Sequence, residues 1–217
     1  METMEGIKRY RLIELPEGWK DGESIVKEED RILFTLRGES PEENSETAAA
    51  IVLETGADAD GEWALCIFKD CLRKEYALGL EEDENRMKIY PGWEKCALRK
   101  KLNTEILDRF PEALRARMIP FENGDLLRIP TEKEIFGKNE YGKEEPEETR
   151  RLPGTENVKR RIAALGLGGE EPAWYWLQNR SVHSAVGAAD VGWIGYAYRR
   201  GVSDVHAVRP LFKIRNR

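Results

Sequence analysis

From Pro172 to Phe212 the chain contains no Lys and no Glu, although 35% of its residues are charged. Ala, Gly, Val, Ser, Tyr, Trp and Arg stand in their place, and Asp190 and Asp204 are the only acids of the stretch. Small residues recur at Ala185, Ala188, Gly192, Gly195, Ala197 and Gly201. That spacing suits short strands and tight loops and does not suit helices. The end of the chain is therefore expected to be β-structured, and locally basic on an acidic body of 41 acids and 35 bases, net charge −6.

A length of 217 residues fits one large domain or two small ones and can bury a sizeable core. No apolar run approaches the ~20 residues a membrane helix needs. Met1 to Arg11 carries charges throughout and no apolar signal core, so synthesis in the cytoplasm is expected, with a phage particle or cell surface reached by another route. The acidic balance disfavours nucleic acid. The basic runs Arg99-Lys100-Lys101, Arg150-Arg151 and Lys159-Arg160-Arg161 read as solvated helix faces. Cys66, Cys71 and Cys96 are an odd number in one stretch, which reads as reduced, buried thiols. The two histidines, His183 and His206, lie far downstream of them, so no metal site and no cofactor are expected. Gly166-Leu167-Gly168-Gly169 lacks the Gly-Lys-Ser/Thr ending of a phosphate loop and reads as a plain loop.

The first third is β-rich: Ile7 to Leu15, Arg31 to Arg37, Ala48 to Glu54 and Glu62 to Lys69 are strand-like runs, punctuated by Pro16-Glu17-Gly18 and Gly61. Gly38 to Thr47 reads as a loop and Cys71 to Tyr90 as a long charged connection. The middle is helical. Leu98 and Leu102 share a face within Trp93 to Leu102, Asn103 or Thr104 caps a short turn, and Pro111 opens a helix through Met118. Thr131-Glu132-Lys133-Glu134 is a capping box for a helix ending near Gly137. Lys138 to Arg151 reads as an exposed loop. Thr155 is expected to cap a helix from Glu156 to Leu165, stopped by Gly166. The fold class is α+β, with residues 1–60 as a β-rich N-terminal extension or subdomain and 61–217 as the main domain.

Several blocks carry a family resemblance. Trp174-Tyr175-Trp176-Leu177-Gln178-Asn179, followed by Val208-Arg209-Pro210-Leu211-Phe212, is similar to a W-W-L-R-S … G-V-R-P-x-F frame. Upstream, Phe68-Lys69-Asp70-Cys71-Leu72, Gly92-Trp93-Glu94-Lys95-Cys96-Ala97-Leu98-Arg99 with Leu102-Asn103, and Ile129-Pro130-Thr131-Glu132-Lys133-Glu134-Ile135-Phe136-Gly137 resemble further blocks in the same order. The resemblance runs from Phe68 to Ile214. It is to the C-type-lectin-fold variable proteins of bacterial and phage diversity-generating retroelements, a branch related to formylglycine-generating enzymes. Ala207 departs from the Gly that usually precedes V-R-P. The resemblance implies a C-type-lectin-like fold with short antiparallel strands and a few helices. It also implies a variable ligand-binding segment, here 178–207, whose exposed positions are randomised at template adenines.

The composition of that segment agrees. An Asn codon (AAC or AAT) altered at its adenines yields Tyr, Ser, Asp, His, Val, Ala, Gly, Ile and Arg, but not Lys, Glu, Gln, Met or Trp. A fixed skeleton is read at Ser184-Ala185, Ala188, Gly192, Gly195, Ala197, Gly201 and Ser203. The variable, ligand-contacting candidates are Val182, His183, Val186, Gly187, Ala189, Val191, Trp193, Ile194, Tyr196, Tyr198, Arg199, Arg200, Asp204, Val205 and His206. Trp193 fits no Asn codon. Tyr, Trp and Arg give large contact area at low entropic cost. The expected function is non-enzymatic binding of a macromolecule, protein or cell-surface glycan. The alternatives are a tail-associated or receptor-binding part of a phage particle, and an enzyme of the formylglycine-generating type. No Cys follows Cys96, so that enzyme's paired-cysteine site is not carried over. A serine–histidine–aspartate site from His183 or His206, Asp190 or Asp204, and Ser181, Ser184 or Ser203 lacks a G-x-S-x-G elbow. Trp174, Trp176 and Arg209 belong to the frame and are expected to pack or hydrogen-bond within the fold.

Overall fold

Strands outweigh short helices in the computed structural model, which describes residues 11–14, 26–82 and 88–216. The chain begins with β1 (Leu12–Glu14), β2 (Arg31–Leu36), β3 (Glu46–Asp58) and β4 (Gly61–Phe68), then a small ribbon of β5 (Glu81–Glu82) and β6 (Lys88–Ile89). Next come α1 (Ala97–Lys101), α2 (Glu112–Arg115), β7 (Met118–Ile119), α3 (Glu132–Phe136) and α4 (Val158–Arg161). β8 (Tyr175–Arg180), β9 (Gly187–Val191), β10 (Ala197–Gly201) and β11 (Leu211–Arg215) close it. The architecture is α+β.

The large sheet has the order β1-β2-β3-β4-β11-β7, antiparallel apart from β1 beside β2. Its core face carries Ile32, Phe34, Leu36, Ala50, Val52, Phe68 and Phe212, and Phe110 packs against it from outside the sheet. Phe34 stacks on Phe110 with ring centroids 5.4 Å apart and meets Phe68 edge-on at 5.6 Å. The β3–β4 hairpin runs through the expected boundary at residue 60, with Asp58 opposite Gly61. Residues 26–60 are thus neither an extension nor a subdomain, because the second and third strands of the main sheet come from them. Asn216 ties the chain end to the same layer: its Oδ1 accepts from Val26 N at 2.7 Å and its Nδ2 donates to Val26 O at 3.0 Å.

The small sheet, β10-β9-β8, is antiparallel. Side chains alternate across its faces with a period of two. Trp176 and Ala188 join the core of the large sheet. Tyr175, Leu177, Ala189 and Val191 join a second core with Leu65, Ile67, Ile135 and Leu211. β8 and β9 therefore have core on both faces, and β9 is the inner strand, with β8 and β10 at the edges.

The expected strands over 31–37, 48–54 and 62–69 form, the middle one longer at each end. Of Ile7 to Leu15 only Leu12–Glu14 is seen as strand; Ile7 to Tyr10, Leu15 and the Pro16-Glu17-Gly18 turn lie outside the described residues, as does 83–87 of the charged connection. The capping box forms as expected: Glu134 N donates to Thr131 Oγ1 at 3.2 Å and Thr131 N donates to Glu134 Oε2 at 2.8 Å. Gly137 ends that helix in the left-handed region at φ 75°.

Three helical expectations fail for identifiable reasons. The helix of 156–165 shrinks to α4, capped by Asn157, because 163–165 is drawn into bridges with Pro172 and Cys71, and Asp70 Oδ1 takes the Ala164 N–H at 3.1 Å. The Thr155 hydroxyl donates to Leu152 O at 2.7 Å instead of capping. The helix expected through Met118 stops at Arg115, since Met118 pairs with Ile214 of β11. Asn103 caps nothing. Its Oδ1 accepts from Leu126 and Leu127 N, and its Nδ2 donates to Arg99 and Leu127 O, so it staples two segments together.

Candidate functional site

The small sheet, its two connections and the turn after β10 hold the fifteen candidate positions. The β9–β10 turn is closed by Gly195 N donating to Gly192 O at 2.7 Å and by Gly192 N donating to Tyr196 O at 2.8 Å. Gly195 lies at φ 81°, where a side chain is strained and where a Cβ would also come within 2.9 Å of Val158 O. Gly192 is required for a different reason: a Cβ there would stand 2.6 Å from the Tyr198 ring and 3.1 Å from Trp174. With its backbone fixed this way, the turn holds Trp193, Ile194 and Tyr196 outward, with Trp193 52% and Tyr196 56% exposed.

At the other end of the same ladder, Val182 N donates to Tyr141 O, Tyr90 N donates to Ala185 O and Val202 N donates to Val186 O. The first two anchor the loop of 182–186 to Tyr141 and Tyr90, and the third holds it beside the turn after β10. Val182, His183, Val186, Asp204 and Val205 are exposed there. Arg199 and Arg200 project along the edge strand between the two ends, on alternate faces. Eight large hydrophobic side chains are exposed among the described residues, and all but Leu12 and Leu165 are Val182, Val186, Trp193, Ile194, Tyr196 and Val205.

Four candidates depart from expectation. Gly187, Ala189 and Val191 are buried: all three lie in β9, whose neighbours β8 and β10 and two cores leave it no free face. His206 is turned inward, its ring 4.4 Å from that of Trp176, with its backbone paired to Tyr76 through bonds of 2.9 and 3.2 Å. Two skeleton positions, Ala185 and Ser203, are in turn exposed.

The frame residues divide. Trp176 is fully buried and its Nε1 donates to Tyr76 O at 2.7 Å. Trp174 is only half-buried and forms a floor for the edge strand. The Arg200 guanidinium lies 4.4 Å from its ring centre and the Tyr198 ring 4.9 Å away at 64°. This platform was not foreseen. The signal was Trp174 falling two residues before Trp176, just ahead of β8.

Beneath the platform lies Asp190, with no exposure at all. Its Oδ2 is 3.6 Å from His206 Nδ1 and 4.0 Å from Arg200 Nε, and these oxygens and His206 Nδ1 have no hydrogen-bond partner. Burial raises the Asp190 carboxyl to about 7, Arg200 opposing and Glu132 assisting. Burial likewise lowers His206 to about 4, helped by Arg200 and opposed by Asp204. At neutral pH His206 is uncharged and Asp190 is poised between its two forms. The residues considered for acid–base chemistry thus meet, yet no serine hydroxyl among the described residues is hydrogen-bonded to either histidine ring. Ser181 Oγ accepts instead from His183 N at 3.1 Å.

Cys66, Cys71 and Cys96 are free and buried, and burial pushes the Cys71 thiol up to about 12. No group of three or more His, Cys, Asp or Glu side chains among the described residues is placed to hold a metal ion. No helix among them is long and apolar enough to cross a membrane. Comparisons with protein-family models, curated proteins and solved structures found no match.

Proposed function

We propose that this chain is a non-enzymatic binding protein that presents the edge of its small sheet to a macromolecular partner, a protein or a cell-surface glycan. The scaffold is taken to be C-type-lectin-like, used in the manner of the variable proteins of diversity-generating retroelements. The observation that carries this reading is that six of the eight large apolar side chains exposed among the described residues fall in one 24-residue span, Val182 to Val205, grouped at the two ends of the β9–β10 ladder. Contiguous exposed apolar surface on a globular protein commonly marks a docking site. Tyr196, Trp193, Arg199 and Arg200 are the residue types that dominate interface energetics. The backbone beneath them is held by glycine turns and core packing, so side chains can change while the frame stays.

On this reading the exposed positions are Val182, His183, Val186, Trp193, Ile194, Tyr196, Arg199, Arg200, Asp204 and Val205, with Tyr198 half-covered. Sequencing the surrounding genome tests it. The expected result is a reverse transcriptase gene and a second copy of this coding segment, differing at adenines in those codons and matching at Gly187, Ala189 and Val191. A locus with neither a second copy nor a reverse transcriptase would overturn the diversified-display reading.

A further inference from the structure

A groove of about 320 Å³ is lined in part by Lys159, Arg160 and Ile162, at and just after α4. None of its lining belongs to the segment 178–207, so none of its charged groups is a display residue. Five basic side chains and two acidic ones line it. That is a basic spot on a chain whose net charge is −6.

The two acids are committed. Glu29 takes both arms of Arg160, at 2.8 and 2.6 Å. Asp70 accepts from Lys69 Nζ at 2.7 Å and from the backbone of Ala164 and Gly168 at 3.1 and 3.2 Å. Arg160 and Lys69 are thereby neutralised. Lys159 makes no ion pair among the described residues and is exposed at the rim.

Arg209 is the unusual member. It is 3% exposed, and every partner it has is neutral: Phe68 O at 2.9 Å, Arg160 O at 3.0 Å, Lys69 O at 3.1 Å and the Tyr175 hydroxyl at 3.4 Å. A guanidinium has five N–H donors, so one on Nη2 is left over. Buried charges are normally matched by an opposite charge. Here the carbonyls orient the guanidinium but do not neutralise it, and the groove gives an anion a way to it.

We propose that this groove binds a phosphate-class oxyanion, with Arg209 as the fixed donor at its base and Lys159 as the mobile cation at its rim. The planar donor fork of Arg suits phosphate oxygens. The cavity has room for the group that carries the phosphate as well.

The test is titration of the full chain with inorganic phosphate and with pyrophosphate, at ionic strength held constant with chloride, read by calorimetry and by melting temperature. Saturable binding and a rise in melting temperature are expected, stronger for pyrophosphate. Because Arg209 also holds the fold together, the informative variant is Lys159→Glu. It should weaken binding roughly tenfold, as reversal of one exposed charge allows. Lys95→Glu, exposed and remote from the groove, should leave binding unchanged. No response beyond chloride, a response to citrate but not to phosphate, or equal affinity in Lys159→Glu would each overturn the proposal.

Discussion

β9 and β10 are neighbours of the same length, joined by a tight turn, yet they do opposite things. β9, Gly-Ala-Ala-Asp-Val, is buried at every position; β10, Ala-Tyr-Arg-Arg-Gly, is buried at none. Residue type explains part of this. Only small side chains fit between two cores, and an edge strand is well served by arginine, which blocks further strand pairing. Sheet order decides the rest: β9 has a strand on each side and β10 has one. Display thus needs both an edge position and no core laid over the strand, since β8 is also an edge and is mostly buried.

The sharpest way to break the comparison is to put the same residue on both strands. A tyrosine is at home at position 198 of β10. At Ala189 it would enter a core already filled by Tyr175, Leu177 and Val191. Ala189→Tyr should cost about 3 kcal/mol or more by overpacking, lowering the denaturant midpoint or preventing folding. A variant that keeps its midpoint would mean that β9 has a free face after all.

That contrast also marks what the sequence could tell. Alternating small residues point to short strands, which form, and the exposure of Trp193, Tyr196, Arg199 and Arg200 was expected from the resemblance together with residue type. The burial of Gly187, Ala189 and Val191 was not, because it depends on β8 and β10 flanking them. The shrinking of the 156–165 helix has a similar origin. Its apolar spacing was helical, but Cys71 and Asp70, far away in sequence, captured its backbone. The capping box at Thr131 was legible because every bond in it is local. Residues 26–60 looked separable because their register partners, Gly61 to Phe68, lie beyond the turn taken as a boundary.

A smaller effect should come from the point where the two strands touch the same buried pair. Asp190 of β9 is raised to about 7 from 3.8, so between those values the folded chain holds a proton the unfolded chain has lost. Its contribution to stability is full below the unfolded value and is lost as pH rises through about 7. His206 is lowered to about 4 from 6.5, so its contribution is full above 6.5 and lost as pH falls through about 4. Between about pH 4 and 6.5 the two slopes oppose each other, and the intact chain should be nearly flat from this pair. Asp190→Asn leaves the histidine alone, and stability should then rise with pH across that window. His206→Gln leaves the acid, and stability should fall. Each unmasked change is about 3 kcal/mol across the window, at about 1.4 kcal/mol per pKa unit. Chemical denaturation at several pH values reads it, and two flat variant profiles would show that the pair does not titrate there. Arg200 and Glu132 bear on the same carboxyl, so both should be left intact.

The least effect belongs to the displayed positions themselves. Tyr196 and Val205 are 56% and 58% exposed, and Arg199 projects from the edge. Tyr196→Ser, Val205→Ser and Arg199→Ser should each change stability by less than about 0.5 kcal/mol, as exposed sites usually do. Tyr198→Ser should cost somewhat more, since it removes a ring from above Trp174. The order matters more than the values. If substitutions at 196, 199 and 205 cost as much as Ala189→Tyr, the edge of this sheet is a structural seam rather than a changeable surface. If they cost nothing measurable while Tyr198→Ser costs a little, the boundary between fixed frame and free display runs through β10, between the residues that lean on Trp174 and those that do not.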